Sequence, residues 1–424
     1  MKKKIFNSYI FLIYFFISFT CYLNLPLLCA FLIKISIKQP KIFKKNKPSK
    51  KIIIVLDRSI GHRDIEIINE SKNVNFEFVF LQRIITKLIL NCFSNKKKIF
   101  NYLKPSVYEK EYFNQNENDR KKHEKFWTNL ILNIKKYYPN KSINFITFNY
   151  SYYAEAALYV GCNNNGVPVK LWHKEGIKSD LDAQAEIKKF SMYHHMFKYF
   201  SNISVYNNLM KNVFIKIDKT NTKKISVNGF PRINDYKIKN SYQKKIKTIL
   251  FLSFENKRGI PYFKKYKNLN WELSYDGVIN ILNELSYNKK INIIIKNKHN
   301  LTYKSDYKIN KKIKIFRDAT AAKLINQSDI IIGQNSTATI EALANGKHVM
   351  IPLFENKNIY KKYLFNFNNK IIYDSEKKMK KRILTLINKK VTFPLRSNIN
   401  NNMLKYYFGY LKNTSNKYVN FLNK

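Results

Sequence analysis

Short apolar runs rich in β-branched residues recur along this chain, separated by stretches whose apolar positions repeat with helical spacing. The first, Lys51-Ile-Ile-Ile-Val-Leu56, is apolar at every interior position. That pattern suits a strand covered on both faces of a parallel sheet. Comparable runs fall at 75–80, 143–148, 167–172 and 203–206. Between them, 82–93, 122–136 and 152–160 carry the periodicity of amphipathic helices. A second series begins near Lys247, with strands predicted at 248–253, 291–296, 313–316, 329–332 and 348–352 and helices at 276–285, 319–327 and 337–344. Strand–helix alternation of this kind builds doubly wound parallel sheets. The expected fold is α/β, with two Rossmann-like doubly wound domains facing a cleft and a hydrophobic helix at the N-terminus. Ligands in such folds bind beyond the carboxyl ends of the strands, where the strand order reverses.

The same pattern sets the divisions. Residues 1–48 read as a hydrophobic segment and basic linker, 49–235 as the first Rossmann-like domain, 236–400 as the second and 401–424 as a terminal helix. Residues 104–125 are polar and read as a loop or exposed helix. Residues 5–33 carry no charge. A helix crosses a bilayer with about 20 apolar residues, and a signal-peptide core is shorter, about 7–15. Asn7, Ser18, Thr20, Asn24 and Pro26 dilute the segment, so a bent anchor lying in the membrane plane is the alternative to a spanning helix. A buried core helix is the third reading. Lys2, Lys3 and Lys4 precede the segment, and Lys34, Lys38, Lys41, Lys44, Lys45, Lys47, Lys50 and Lys51 follow it. The positive-inside tendency then puts the domains on the cytoplasmic side of an inner (cytoplasmic) membrane.

Charge changes the picture less than its size suggests. Lys and Arg total 78 against 28 Asp and Glu, a net charge of +50. Such a field attracts anions, among them lipid headgroups and nucleotides. The lysines are spread along the chain, as an AT-rich coding bias would spread them, with no basic stripe and no zinc-finger or RNA-recognition motif. An anionic membrane surface is therefore an expected partner and a specific nucleic acid is not. Cys21, Cys29, Cys92 and Cys162 form no ligand or disulfide spacing, and no paired-Asp metal motif is present. No cofactor or metal is expected, and the soluble part suits a reducing compartment.

The most informative stretch is Ser328-Asp-Ile-Ile-Ile-Gly-Gln-Asn-Ser-Thr-Ala-Thr-Ile-Glu-Ala-Leu-Ala-Asn-Gly-Lys-His-Val-Met-Ile-Pro352. It reads as strand, tight turn, helix, turn, strand. Gly333 allows a sharp exit from the strand. Asn335, Ser336 or Thr337 can cap the helix, and Asn345-Gly346 ends it. A helix start presents free N–H groups and a positive dipole end, a seat for a diphosphate. Glu341 lies one turn beyond Thr337 on the same face and can accept hydrogen bonds from ribose hydroxyls. A capped structural helix with a solvated Glu341 is the plainer alternative.

This segment resembles the donor-binding part of GT-B glycosyltransferases of capsule and surface-polysaccharide synthesis, with their S-T-x-x-E-A-L-x-x-G-K-P-V pattern. His348 stands where proline is usual. Gly333 occupies the place of the first of two glutamates that retaining members often carry, which leaves the anomeric outcome open. Val227-Asn-Gly-Phe-Pro-Arg-Ile-Asn-Asp235 is similar to the interdomain G-N-P-R-x-D stretch of CDP-glycerol glycerophosphotransferases, and Ile293-Ile-Ile-Lys-Asn-Lys-His299 to their K-x-H-P strand end, with Asn300 in place of proline. The resemblance covers residues 165–355. It implies a first domain for the acceptor and a second for a nucleotide donor held by Asn335, Ser336, Thr337 and Glu341, with Asn228, Gly229 and Arg232 between the domains. Arg258 in the loop after the second domain's first strand, and Lys296, Lys298 and His299 after the next, are cations placed to neutralise a leaving diphosphate. For the base, His173 and Glu175 follow one strand of the first domain, while Asp57 and His62 follow another. His194 and His195 suit core or surface roles. The expected activity is transfer of a sugar from a nucleotide-sugar donor to a surface polysaccharide or lipid-linked glycan. A CDP-glycerol-type phosphotransferase, a sugar-nucleotide epimerase and a non-catalytic polyanion-binding protein are the alternatives.

Overall fold

The computed structural model describes residues 2–36, 49–57, 61–71, 74–93, 117–150, 153–174, 176–191, 194–235, 242–260, 263–297, 308–317, 319–394, 398–410 and 412–424. Two helices, α1 (Lys2–Tyr22) and α2 (Pro26–Ser36), precede the first lobe. That lobe contains β1 (Lys51–Asp57), α3 (His62–Asn69), β2 (Phe76–Gln82), α4 (Arg83–Cys92), α5 (Glu117–Lys136), β3 (Ser142–Thr147), α6 (Ala156–Asn164), β4 (Val169–Trp172), α7 (Asp180–Ser191), β5 (Asn202–Val205), α8 (Asn208–Ile217) and β6 (Ile225–Val227). All its strands are parallel, in the order β2-β1-β3-β4-β5-β6. The β-branched run Ile52–Val55 is fully covered because helices lie on both faces of the sheet.

The second lobe repeats the plan. It contains β8 (Thr248–Leu252), α9 (Glu272–Leu285), β9 (Asn292–Lys296), β10 (Lys314–Phe316), α10 (Ala321–Gln327), β11 (Ile330–Ile332), α11 (Thr337–Ala344), β12 (His348–Pro352), α12 (Asn358–Tyr363), β13 (Ile372–Tyr373) and α13 (Glu376–Ile387). Its order, β10-β9-β8-β11-β12-β13, is again wholly parallel. Two doubly wound sheets are thus present, the architecture that the GT-B resemblance implies. The polar connector between them is not featureless. It holds β7 (Tyr242–Lys245), which pairs antiparallel with β14 (Lys390–Phe393).

The N-terminal stretch departs from expectation. It is a hairpin of two helices, not one. At the turn Asn24 takes a φ of 54°, which Asn tolerates, and Pro26 opens α2 where its missing N–H costs nothing. Among the described residues no helix is long and apolar enough to cross a membrane. One face of the hairpin is committed to the first lobe. Ile17, Cys21, Cys29, Ala30 and Ile33 are buried there, α1 against α4 and α2 against α5. The polar Ser18 and Thr20 are buried on the same side, and Thr20 Oγ1 donates to the Ile17 carbonyl at 2.9 Å.

The C-terminus is two helices, α14 (Asn398–Phe408) and α15 (Thr414–Asn423). α15 returns to the first lobe. Tyr418 stacks on Trp172 at 4.3 Å, and Tyr418, Phe421 and Leu422 share a core with Ile53, Val55 and Phe78. Lys170, fully buried in β4, donates from Nζ to the carbonyls of Phe421 and Leu422, each at 3.0 Å. These are last-turn carbonyls that the helix itself leaves unbonded. Burial, together with the charges of Lys51 and Lys424, lowers the ammonium pKa of Lys170 to about 7. A neutral amine still has two N–H donors for the two carbonyls.

The sign of the resulting pH dependence is fixed. Between about 7 and 10.5 the unfolded chain holds a proton on Lys170 that the folded chain has released. The unfolded state binds more protons, so this group's contribution makes folding more favourable as pH rises through that window. Lys170→Met should flatten this rise in urea-denaturation midpoints, whereas Lys135→Met, at an exposed position, should leave it intact. Tyr418→Ala should cost about 3–5 kcal/mol, measured the same way, because it empties a packed aromatic site.

Candidate functional site

The order of each sheet reverses beside its first strand, between β1 and β3 in the first lobe and between β8 and β11 in the second, and such a reversal is where folds of this kind open a crevice. In the second lobe the crevice lies between the ends of β8 and β11. The turn after β11 is tight: a Cβ on Gly333 would stand 2.9 Å from Thr339 Oγ1 and 3.4 Å from Leu252. Ser336 caps α11, its Oγ accepting from Thr339 N at 3.2 Å. Ser336 and Thr337 remain half-buried at the helix start. Asn335 faces elsewhere. It is buried, donating to the Tyr363 carbonyl at 2.5 Å and accepting from Phe365 N at 2.7 Å, so it clamps the chain after α12. Tyr363 neighbours Arg258. Its hydroxyl pKa is raised to about 12, chiefly by burial, with Arg258 pulling the other way. Arg258 is fixed through its backbone, its N–H on Leu269 O at 3.1 Å and its carbonyl under Trp271 Nε1 at 3.0 Å. Lys296 turns to the sheet edge and donates to the carbonyls of Asn297 and Arg317 at 2.6 and 2.7 Å. Lys298, His299 and Glu175 lie outside the described residues.

Glu341 is buried, not solvated, and it connects the lobes. Its Oε1 lies 3.4 Å from Arg232 Nη2. Arg232 belongs to the segment that leaves β6, and its Nε is 3.1 Å from Asp64 Oδ1 in α3, although that N–H is not aimed along the contact. Asp64 has no exposed surface. Lys174, following β4, reaches Asp64 Oδ2 at 2.8 Å, and the Tyr206 hydroxyl donates to the same oxygen at 3.3 Å. Burial and the Asp64 charge push the Tyr206 phenol well above its ordinary range. Two cations, Lys174 and Arg232, thus face two buried carboxylates, Asp64 and Glu341, and Arg232 is the one that bridges them.

The interdomain stretch is rigid for local reasons. Gly229 takes a φ of +82°, and a Cβ there would meet Thr414 at 2.8 Å. Its carbonyl accepts from the Tyr418 hydroxyl at 2.9 Å. Asn228 donates to Ser204 Oγ at 2.8 Å, tying β6 to β5. The Arg232 guanidinium lies over the Phe230 ring at 4.6 Å, and Phe230 stacks on Phe408 at 4.7 Å.

In the first lobe, Asp57 at the end of β1 holds His62 at the start of α3, Oδ1 to Nε2 at 2.5 Å. Both side chains are partly open to solvent, and the His62 ring meets Phe80 edge-on at 5.0 Å. His173 is different. It is buried, packed edge-on to Phe214 at 5.1 Å and beside Tyr150 at 5.9 Å. Asp64, Lys174 and Tyr206 were not singled out from sequence. Asp64 offered one weak signal, an acid in the first turn of a helix after a strand, and nothing linked it to Arg232. A concavity of about 620 Å³ on α13, lined by Glu376, Lys380 and Lys381 among others, is on the outer surface of that helix and at neither crevice.

Asp64→Ala would leave Lys174 buried without its counter-charge and Arg232 with Glu341 alone. It should cost about 3–5 kcal/mol of stability in urea denaturation. Asp57→Ala breaks a pair that water reaches and should cost about 1 kcal/mol or less by the same measurement.

No family model matches this sequence, and no curated protein matches it. Among solved structures, the chain is similar to UDP-GlcNAc 2-epimerase from Methanocaldococcus jannaschii, at 14% identity over 84% of this chain and 98% of that one, with a TM-score of 0.45. It is similar to the wall teichoic acid polymerase TagF at 11% identity over 94% and 92%, TM-score 0.48. A trehalose-6-phosphate synthase is similar at 9% identity over 88% and 99%, TM-score 0.46. The strand orders described above, independent of these likenesses, define the architecture.

Proposed function

We propose that this protein is a membrane-associated glycosyltransferase that moves a sugar from a nucleotide-sugar donor to a glycan or lipid-linked acceptor. The observation that carries the reading is Glu341, buried one turn into α11 directly behind the capped helix start and beside Arg232. In this reading the N–H groups of Thr337 and Ala338, the first two positions of α11, bind the diphosphate, the Ser336 N–H being already donated to the Gln334 carbonyl at 2.8 Å. Glu341 accepts from the ribose hydroxyls. Arg232, held by Asp64, supplies positive charge as the diphosphate leaves, and Arg258 adds to it from the loop after β8. Phosphate neutralisation thus falls to protein cations, and no metal is invoked.

For the base, the Asp57–His62 pair supports the role better than His173. His62 Nε2 is engaged by the carboxylate, which leaves Nδ1 to take the proton of the acceptor hydroxyl, while Asp57 stabilises the imidazolium that forms. His173 lies within an aromatic cluster, away from solvent. This also weighs against a phosphotransferase that depends on a histidine at that position. The apolar hairpin weighs against a soluble epimerase.

A thermal-shift panel of UDP, CDP, GDP and CMP sugars on the full chain tests the reading. One nucleotide should stabilise the protein, by about 2.7 kcal/mol at roughly 100-fold excess over Kd. Glu341→Ala should abolish that shift and His62→Ala should keep it. In turnover, His62→Ala should lower kcat by about 10²–10⁴ and Arg232→Ala by about 10²–10³. Absence of a shift with every nucleotide contradicts the proposal. Isomerised nucleotide sugar formed without any acceptor would indicate the epimerase instead.

A further inference from the structure

The hairpin α1–α2 has a second face. Among the described residues, twelve of the twenty-one large apolar side chains exposed to solvent fall between Phe11 and Ile35. Soluble surfaces rarely gather so many in one place. On α1 they recur at Leu12, Phe15, Phe19 and Tyr22, and on α2 at Leu28, Phe31 and Ile35, the spacing of a single stripe on each helix. The opposite stripes are those packed on α4 and α5. The hairpin therefore lies along the first lobe with its apolar face outward.

Three candidates could cover that face. A spanning arrangement would strip both helices from the lobe packed on one side of them, and no described helix is long and apolar enough to cross a membrane. A second copy would bring a charge of +50 against +50, a strong repulsion. An anionic bilayer satisfies both properties of the surface, since it takes up the apolar stripe and attracts the lysines that flank it in sequence, Lys2, Lys3 and Lys4 on one side and Lys34 and Lys38 on the other.

The position of the hairpin gives the docking a consequence. The Tyr14 hydroxyl on α1 donates to Gln82 at the carboxyl end of β2. Burial raises the Tyr14 pKa, and the charge of Asp57, at the carboxyl end of β1, raises it further. α1 thus runs beside the edge of the first sheet that carries the Asp57–His62 pair. We infer that the α1–α2 hairpin inserts its Phe/Leu face in-plane into one leaflet of an anionic bilayer and holds the Asp57–His62 end of the first lobe at the lipid–water boundary. The link to an amphiphilic acceptor, whose reacting hydroxyl sits just outside the headgroups, rests on the function proposed above. The docking itself does not.

The test is co-sedimentation of the full chain with vesicles of mixed phosphatidylcholine and phosphatidylglycerol, and with phosphatidylcholine alone. Binding should be tighter to the mixed vesicles and weakened, not abolished, by salt. The triple variant Phe15→Glu, Phe19→Glu, Phe31→Glu should bind on the order of 100-fold more weakly. Its thermal shift with nucleotide sugar, read without vesicles, should match the parent chain, which separates failure of docking from failure of the donor reading. Leu27→Trp, at a position 60% exposed, should leave folding undisturbed and gives a second readout. Its emission should be quenched by lipids brominated near the glycerol and less by lipids brominated near the chain end. Unchanged vesicle binding in the triple variant, or deepest quenching at the chain end, would overturn the inference. So would a parent chain that ignores vesicles but loses a dimeric state in the triple variant.

Discussion

A carboxylate with no access to water, Asp64, sits where the two lobes meet, and the junction is arranged around it. Burying such a charge costs several kcal/mol unless cations and hydrogen bonds surround it. Lys174, Arg232 and Tyr206 meet that demand from three separate parts of the first lobe and its exit segment. Because Arg232 also touches Glu341, the same cluster fixes the distance between α3 and α11. The C-terminal return reinforces this. α15 stacks on β4 through Tyr418 and Trp172 and bonds to Gly229, so the segment carrying Arg232 is held on both sides. A donor seated at α11 would therefore be felt at α3 through one guanidinium.

The two lobes repeat one plan and use it differently. Both place a glutamate after the strand beside the switch point, Glu155 after β3 and Glu341 after β11. Glu155 is enclosed within its own lobe by Arg83, Thr147 and Tyr159. Glu341 meets an arginine from the crossing segment instead. The first arrangement is internal packing. The second joins the two lobes.

Much of the architecture was legible in the sequence. The runs at 51–56 and 248–253 became β1 and β8 because their β-branched residues leave no polar face. The strand, turn and helix around Gly333 formed as its spacing required. What was not legible depended on contacts distant in sequence. Asp64 and Arg232 are 168 positions apart, and no local pattern joins them. The fate of His173 depended on Phe214 and Tyr150, which close over it. Asn335 could cap a helix or clamp a neighbouring chain, and the carbonyl of Tyr363 decided it. The apolar N-terminal stretch was long enough to span, but Asn24 and Pro26 turn it back, and the buried Ser18 and Thr20 show which side faces protein.

The central claim is local: the amides at the front of α11 grip the diphosphate of a nucleotide. Hydrogen–deuterium exchange of the full chain, with and without the nucleoside diphosphate that binds, reads those amides directly. The account predicts slowed exchange at Thr337 and Ala338, the amides at the front of α11 that the fold leaves open, and in the segment containing Arg232, with little change in α13. Binding that leaves the front of α11 as exchangeable as before, or that protects only the outer surface of the second lobe, would contradict it.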